Sequence, residues 1–260
     1  MIEALTSVKN PLVQRMRTLK SAKGREAEGQ MLIDGEKMIR EALGAGLVPG
    51  DVLIDEGILA QLNDLIKMLE TAGAKLYQVP YRILEAVSDT VTPSGVCASF
   101  TPPKKLDLSQ PPARIVALDG VQDPGNAGTI WRTADAAGFG GMLLGAGSAE
   151  PTNPKVVRAT MGSCFRLPAQ KVPDLAQALA QLKADGYQIV ATSLDGQDIY
   201  QRDALGEKIV LVIGSEAHGI RADVLALSDV RLKLPMRGGA ESLNAAVAAG
   251  IILYELTRGI

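Results

Sequence analysis

Aromatic side chains are scarce in this chain of 260 residues, because Phe, Tyr and Trp together make up only 3% of it. Apolar residues as a whole reach 47%, so a packed core must be built mainly from Ala, Leu, Val and Ile. With so few rings, stacking of bases on several aromatic side chains is not expected to dominate any binding of nucleic acid. The length is suited to one large domain or two modest ones.

The chain also lacks an excess of charge of either sign. Its 27 basic and 29 acidic residues give a formal net charge of −2, so any contact with RNA must use a local basic patch. Residues 1–25 contain a single acidic residue and six basic ones, which are Lys9, Arg15, Arg17, Lys20, Lys23 and Arg25. The alternative is the solvated face of an amphipathic helix that buries Leu12, Met16 and Leu19, although such a helix can still present its basic side to phosphates.

Cysteine and histidine are rare as well. Cys97 and Cys164 lie far apart, and His218 is the single histidine, so the sequence predicts no metal centre. Both thiols are expected to be buried and free in a reducing compartment. No signal peptide is recognisable, and no apolar run reaches the roughly 18 residues of a membrane span. We therefore expect a soluble, cytoplasmic protein with no membrane partner.

The clearest linker is the proline-rich stretch 101–113, TPPKKLDLSQPPA. It separates a first segment, residues 1–100, from a second one, residues 114–260. The pattern of the first segment predicts strands and helices in alternation and hence a small α/β domain. The strands are expected at 30–34, 51–55, 75–79 and 95–100, and the helices at 36–45, 59–72 and 81–87.

The second segment repeats βα units, which favours a parallel sheet with helices on both faces. Strands are predicted at 114–118, 141–145, 165–168, 187–192, 208–213 and 229–234. Helices are predicted at 129–138, 153–161, 173–185, 220–227 and 241–258. The last helix is apolar nearly all round between residues 242 and 256, so we expect it to be buried in the core or in an interface.

The most informative block is RIVALDGVQDPGNAGTIWRTADAAGFGG, residues 114–141. It predicts a strand, then a loop of turn-forming residues, then a helix from Thr129 with Arg132 in its first turn. Free backbone N–H groups at a helix N-terminus suit an anionic or strongly polar ligand, which Asn126 and Arg132 would help to hold. The alternative is a structural βα turn with Arg132 on a solvated face.

Two further blocks follow, LVIGSEAHGI at 211–220 and LKLPMRGGAESLNAAVAAGIILYEL at 232–256. In this order the three blocks closely resemble the three motifs of the SpoU/TrmH family of RNA ribose methyltransferases, part of the SPOUT superfamily. The first motif pairs an Asn with an Arg, and the second has the form Gly-x-Glu-x-x-Gly. The third joins apolar-Pro-Met to Ser-Leu-Asn. The matching residues are Asn126, Arg132, Gly214, Glu216, Gly219, Leu234, Pro235, Met236, Ser242, Leu243 and Asn244.

The resemblance implies an α/β methyltransferase domain at 114–260 whose parallel sheet carries a deep trefoil knot, whereas general topology rules predict an unknotted chain. It also implies a homodimer with active sites near the interface. The first segment more loosely resembles the L30e-like substrate-binding domain that precedes the catalytic domain in many members. That match rests on MLIDGEKMIREAL and TPSGVCASF, and it implies an RNA-binding domain at 1–100.

The resemblance further implies S-adenosylmethionine as cofactor and a ribose 2′-OH as methyl acceptor. In the family the cofactor is held in the knot mainly by backbone groups of three loops, and small residues permit that close approach. The residues expected to bind the cofactor are Thr192, Ser193, Gly214, Gly219, Leu234, Met236 and Leu243. Ordinary turn chemistry is the alternative for each glycine taken singly.

Five polar residues are expected at the reacting ribose, namely Asn126, Arg132, Glu216, Ser242 and Asn244. Family proposals assign removal of the hydroxyl proton to the arginine, but an arginine has a pKa above about 12. A fixed cation that stabilises the developing alkoxide is the other interpretation. We expect the two asparagines to orient the ribose or Arg132, and Glu216 to pair with Arg132 or the loop. His218 is an alternative base, and Arg158 in NPKVVRATMGS a further phosphate ligand.

Three function classes can be compared on these residues. The first is an S-adenosylmethionine-dependent RNA 2′-O-methyltransferase acting on ribosomal or transfer RNA, and the extra N-terminal domain favours ribosomal RNA. The second is a catalytically silent RNA-binding member of the same fold, which the presence of all five polar motif residues disfavours. The third is a nicotinamide-dependent oxidoreductase, which would need a GxGxxG loop after its first strand, where this chain has DGVQDPGNAG.

Overall fold

The computed structural model describes residues 2–258, and the chain divides into two compact units. The first unit contains the chain up to Pro103 together with a later segment, Thr152–Arg166. The second contains Lys104–Pro151 and the chain from Leu167 onwards. The contact pattern thus groups fifteen residues from within the predicted methyltransferase segment with the N-terminal unit.

The first unit is built on a mixed sheet of five strands in the order β1-β4-β3-β5-β2. These strands are β1 (Glu3–Ala4), β2 (Met31–Asp34), β3 (Pro49–Asp55), β4 (Lys75–Val79) and β5 (Val96–Phe100). β1, β4 and β3 run parallel, whereas β5 is antiparallel to both of its neighbours. The helices are α1 (Pro11–Thr18), α2 (Ala22–Glu28), α3 (Glu36–Gly44), α4 (Asn63–Thr71) and α5 (Tyr81–Val87).

The predicted N-terminal amphipathic helix is two helices, and each begins at a side-chain cap. Asn10 accepts a hydrogen bond from the N–H of Leu12 before α1, and Ser21 accepts one from Gly24 before α2. Met16 and Leu19 are buried as expected, and Leu12 packs at the edge of the same cluster. The basic residues of this region are therefore spread over two short helices.

From residue 114 onwards the strands are β6 (Arg114–Asp119), β7 (Gly141–Leu144), β8 (Ala169–Lys171), β9 (Gln188–Asp198), β10 (Ile209–Gly214) and β11 (Val230–Lys233). The helices are α6 (Pro124–Ala136), α7 (Pro154–Ala159), α8 (Leu175–Ala184), α9 (Ala222–Leu225) and α10 (Ala245–Leu256). Of these, only α7 belongs to the first unit, where it packs against β2.

The second unit contains a sheet of six strands in the order β11-β9-β10-β6-β7-β8, and every pair is parallel. This confirms the predicted parallel α/β architecture. Ile115 and Val212 point to the side of the sheet where they meet Leu175 and Leu179 of α8 in one aliphatic cluster. Because the strands are parallel, the loops that follow β6, β9, β10 and β11 meet at one edge of the sheet.

Several predicted boundaries from residue 114 onwards are wrong. β9 ends at Asp198 rather than at 192, and α9 is confined to Ala222–Leu225 within the predicted 220–227. α6 begins at Pro124 rather than at Thr129, because Asp123 caps the helix by accepting the Asn126 N–H at 2.7 Å and proline is favoured at the first helical position. The strand expected at 165–168 is displaced to β8, since Gly162, with a φ of +95°, turns the chain into a short 3₁₀ helix first. α10 begins only after Asn244, which acts as its cap.

No helix in the described part of the chain is long and apolar enough to span a membrane. Cys97 and Cys164 are buried free thiols, as expected. Burial raises the pKa of the Cys97 thiol well above its usual value and raises that of Cys164 to about 11, so neither is a reactive thiolate.

Candidate active site

A cavity of about 600 Å³ lies in the second unit, at the sheet edge where β9, β10 and β11 end. Its lining includes every residue that the sequence assigned to the cofactor, namely Thr192, Ser193, Gly214, Gly219, Leu234, Met236 and Leu243. Glu216, His218 and Ser242 line it too. The loops of the second and third sequence motifs and the segment Thr192–Asp195 of β9 therefore surround a single space, and the first motif contributes no residue to its lining.

The first wall is a bulge within β9. Along β11 the pairing passes from Arg231, opposite Ala191, directly to Leu232, opposite Gln197, so Thr192–Gly196 is looped out. Gly196 is required at the return of this bulge, because a Cβ there would lie 2.6 Å from the carbonyl carbon of Arg231. β9 therefore contributes a looped-out segment to the wall of the cavity and then continues as a strand.

Two side chains of this bulge line the cavity but were not predicted from the sequence. Leu194 lines the cavity although it is 79% exposed, and an apolar side chain of that exposure is free to fold over a bound ligand. Asp195 accepts a hydrogen bond from the Ser193 hydroxyl, and this bond lowers the pKa of Asp195. The cavity therefore has a firmly ionised carboxylate at this mouth. No spacing pattern in the sequence predicts that either residue lines the cavity.

The second wall is the loop after β10. Ser215 and Gly219 exchange backbone hydrogen bonds of 3.1 and 2.9 Å, which closes the loop at its base. A Cβ on Gly214 would lie 2.2 Å from the carbonyl carbon of Gly219, and Gly219 has a φ of +67°. These two positions explain physically why the Gly-x-Glu-x-x-Gly motif needs glycine at both ends.

The third wall is aliphatic. Leu234, Met236 and Leu243 come from the segment before α10, and the helix adds small side chains and Ile252. The small residues on this face are Ala245, Ala248 and Ala249. No Phe, Tyr or Trp is among the described residues that line the cavity, so a planar ligand at this wall would contact aliphatic surfaces.

A chain of hydrogen bonds joins the three motifs. Asn244 Oδ1 accepts the N–H groups of Ala246 and Val247, at 3.0 and 3.3 Å, so its Nδ2 must be directed elsewhere. That Nδ2 donates to Asn126 Oδ1 at 3.0 Å, and Asn126 Nδ2 in turn donates to a carboxylate oxygen of Glu216. Because a helix N-terminus stands at one end and an acceptor-only carboxylate at the other, the direction of donation is determined throughout.

The sequence predicts that Glu216 pairs with Arg132 or the loop. In the structure its partner is Asn126 and not Arg132. Arg132 lies in the third turn of α6 because the helix starts at Pro124. It is therefore about 120° around the helix axis from Asn126. It is exposed, it is not among the cavity residues, and it makes no hydrogen bond or ion pair with any described residue.

The remaining candidates for chemistry occupy the rim. Ser242 is exposed beside Leu243, with its hydroxyl available to a ligand. His218 is exposed at the tip of the second wall, where its backbone N–H donates to the Ser215 hydroxyl at 3.1 Å. Acidic, cysteine and histidine side chains form no cluster that could hold a metal ion anywhere in residues 2–258.

The residues predicted to contact RNA differ in their exposure. Lys9, Arg17 and Lys23 are exposed and make no ion pair with described residues, and Lys20 is half-buried. Arg15, in contrast, forms an ion pair with Asp51.

Two of the predicted RNA contacts are tied into the first unit. Arg25 is 5% exposed and donates to the carbonyls of Leu19 and Lys20 and to the Thr152 hydroxyl, each at 3.0 Å. That burial is incompatible with a phosphate ligand, so the prediction for Arg25 is wrong. Arg158 donates to Asp89 at 3.3 Å.

Two family models match this chain. The SpoU rRNA methylase family matches residues 113–254, and the MRM3-like substrate-binding domain matches residues 10–98. Among relatives, a 23S rRNA (guanosine(2553)-2′-O)-methyltransferase of Bacillus subtilis, RlmP, is 35% identical over 98% of this chain and 99% of its own length. A tRNA/rRNA methyltransferase of Synechocystis is 34% identical over 99% of this chain and 94% of its own length.

Solved structures agree with the sequence matches. An AdoMet-bound rRNA methyltransferase from Sinorhizobium meliloti superposes with a TM-score of 0.87 at 31% identity, covering 99% of this chain and 98% of that one. The SpoU methyltransferase AviRb from Streptomyces viridochromogenes, in complex with AdoMet, superposes with a TM-score of 0.85 at 29% identity, covering 96% and 98%. With its three motifs joined by hydrogen bonds beside one cavity and the family model spanning residues 113–254, this chain belongs to the SpoU rRNA methylase family.

Proposed function

We propose that this protein is an S-adenosylmethionine-dependent methyltransferase that methylates a ribose 2′-OH of ribosomal RNA in the cytoplasm. The observation that carries the proposal is the single cavity of about 600 Å³ that the second and third family motifs line, with the first motif joined to both by the hydrogen bonds of Asn126. The names of its relatives agree, since one methylates a guanosine of 23S rRNA at the 2′-O and two solved structures contain AdoMet.

The cavity suits this cofactor in size and chemistry. Its volume lies within the range of about 300–1,000 Å³ that is usual for small-molecule sites. Leu234, Met236 and Leu243 offer apolar contact to an adenine ring and a methionine chain, and the glycine-bounded second wall offers backbone groups at close range. When bound, S-adenosylmethionine supplies a methyl group activated by its sulfonium.

The protein's own contribution is alignment and charge. In the reaction a bond forms between the ribose oxygen and the methyl carbon, the carbon–sulfur bond breaks, and the hydroxyl proton leaves. Holding the reactants in line can supply about 7–11 kcal/mol. The chain from Asn244 through Asn126 to Glu216 ties together the loops that would hold both reactants, and Ser242 stands at the rim to bind the nucleotide.

Arg132 is the cation proposed for the developing alkoxide, and we propose that it acts in the second subunit of a homodimer. α10 exposes Val247, Ile251 and Tyr254 by 52%, 37% and 56%, at spacings that put them on one helical face. Exposed apolar patches with tyrosine are typical of protein interfaces. α10 packs against α6, which carries the exposed Arg132. If a second copy of the chain covered this face, Arg132 of the first copy would lie near the cavity of the second copy.

The first unit is proposed as an L30e-like domain that binds the RNA substrate. Support comes from the match of residues 10–98 to a substrate-binding domain and from the exposed side chains of Lys9, Arg17 and Lys23. The deep trefoil knot is likewise proposed for the second unit. It is supported by the packing of α10 against α6, while the segment before α10 shares one cavity with the loops of β9 and β10.

Methyl transfer from labelled S-adenosylmethionine to total RNA, followed by nucleoside mapping, tests the proposal. Label recovered as one 2′-O-methylnucleoside in ribosomal RNA is the expected result. RNA binding without any transfer would instead support the silent RNA-binding alternative. Heat of binding with NAD and none with S-adenosylmethionine would contradict the proposed cofactor.

A further inference from the structure

We propose that the ion pair between the buried Asp119 carboxylate and Arg221 is a positioning device for the loop that carries Glu216. The inference rests on the proposed methyl transfer and adds to it two residues that do not line the cavity. Both residues act through the loop 215–220, which runs from Gly214 to Arg221. Neither of them touches the ligand.

Arg221 alone supplies hydrogen-bond donors to both oxygens of the Asp119 carboxylate. Asp119 ends β6, and its side chain is 1% exposed. Asp119 Oδ2 accepts the backbone N–H of Arg221 at 2.7 Å, and Oδ1 accepts the side-chain Nε–H at 3.0 Å. One residue thus binds both oxygens of a carboxylate that has almost no access to water, where charge-assisted bonds are strong.

Both ends of the loop are held at Asp119, one end through the backbone of β6 and the other through the carboxylate. At the start, Gly214 lies directly opposite Asp119 in the parallel pairing of β10 with β6. At the end, Arg221 binds the Asp119 side chain through main chain and side chain together. The six residues 215–220 are therefore held as a closed loop by one aspartate, and the Ser215–Gly219 backbone pair stiffens it from within.

The position of this loop matters at two places. It brings the Glu216 carboxylate to Asn126, and it forms the cavity wall with its residues up to Ile220. Arg221 is 47% exposed in its side chain, so its bond to Asp119 is not required to fill the core. The geometry of the Asp119–Arg221 bond instead determines the position of the second wall of the cavity relative to the first and third walls.

Arg221→Lys is the sharpest variant, since it retains the cation and the backbone N–H but removes the Nε–H bond to Asp119 and alters the exposed Nη1 contact with Asp223 at 3.7 Å. Arg40→Lys is the matched control, because Arg40 also binds a carboxylate, Glu36, through Nε at 2.8 Å and lies on α3 in the first unit. We expect Arg221→Lys to lower kcat by about 10²-fold, the usual effect of a displacement near 1 Å, with Tm close to wild type. Amide exchange in residues 215–220 should become faster, and Arg40→Lys should change neither.

A double-mutant cycle shows whether Arg221 acts through Glu216. In a Glu216→Gln background, Arg221→Lys should cause less than about a threefold further loss of kcat, because the group being positioned is already impaired. An equal loss in both backgrounds, or a wild-type kcat in Arg221→Lys, would overturn the proposal. If the wild-type protein methylates no RNA, the proposed function fails. Amide exchange in residues 215–220 then tests the inference by itself, because an unchanged exchange rate in Arg221→Lys would overturn it.

Discussion

Asn244 and Asn126 are 118 residues apart in the sequence, and their side-chain amides are joined by a hydrogen bond of 3.0 Å. Asn244 also caps α10, so a single side chain both starts the last helix and orients a residue of the first motif. The same amide group thus has a structural function and a functional one, which substitutions can separate.

Asn244→Asp should lower kcat by about tenfold or more while Tm stays near wild type. Aspartate caps helices as well as asparagine does, but it presents an acceptor where Asn126 Oδ1 requires a donor. Thermal unfolding and steady-state methyl transfer measure the two effects. Asn153→Asp is the matched control, because Asn153 caps α7 in the same way and contacts no motif residue. A fall in Tm that accounts for the whole activity loss would contradict the separation.

Gly214→Ala should weaken cofactor binding by about tenfold or more. The new methyl would lie 2.2 Å from backbone atoms of Gly219, and overpacking of this kind costs about 1–3 kcal/mol. Calorimetry with S-adenosylmethionine is the measurement. Gly44→Ala, at the end of α3 where a Cβ meets no atom within 4 Å, should bind normally. Equal affinities of the two variants would show that the close approach at Gly214 is not needed.

Local patterns predicted much of the fold. β4 and α5 begin and end where expected, because alternation and helical periodicity are properties of neighbouring residues. The start of α6 was missed for a local reason too, since Asp-Pro is favoured both in turns and as a helix cap followed by a first-turn proline. Only the capping hydrogen bond from Asn126 distinguishes the two.

The site was predictable in its members but not in its contacts. The residues of the second and third motifs line one cavity, yet the Asn126–Glu216 partnership spans 90 residues and depends on the register of β6 with β10. The bulge Thr192–Gly196 is hidden within β9, because a looped-out segment has no hydrophobic period of its own. Neither feature leaves a signal that spacing alone can detect.

Asp34→Asn should stabilise the protein above neutral pH. The Asp34 carboxyl is buried at the end of β2, and this burial raises its pKa, although Ser88, Cys97 and the charge of Arg158 oppose the rise. A raised folded-state pKa means that stability is present at low pH and is lost as the pH rises through that value. Tm should therefore increase by a few degrees at pH 8 and little at pH 4. The exposed Asp203→Asn control should change Tm at neither pH, and a lower Tm of Asp34→Asn at pH 8 would contradict the sign.

Ile251→Glu should convert the proposed dimer into a monomer. It places a charge in the middle of the exposed apolar face of α10, where burial against a second copy would leave that charge unpaired. Sedimentation velocity gives the oligomeric state, and calorimetry should show that cofactor binding survives. Val48→Glu is the control, since Val48 is an exposed apolar residue of the first unit at 61% exposure. A wild-type protein that sediments as a monomer would refute the dimer itself.

Arg132→Ala should abolish methyl transfer with little change in cofactor affinity, and Arg132→Lys should remain poor because a point charge cannot replace the planar guanidinium. The loss of one electrostatic stabiliser typically costs about 10²–10³ in rate.

Mixing Arg132→Ala with Glu216→Gln distinguishes action in the same subunit from action across the interface. If Arg132 serves the partner, half of the dimers are mixed and each contains one intact site, so roughly a quarter of wild-type activity should return. If Arg132 serves its own cavity, every site in the mixture lacks one group and no activity returns. Each variant assayed alone under the same conditions is the baseline. Recovery would also explain why Arg132, exposed on α6, has no partner among the described residues of its own chain.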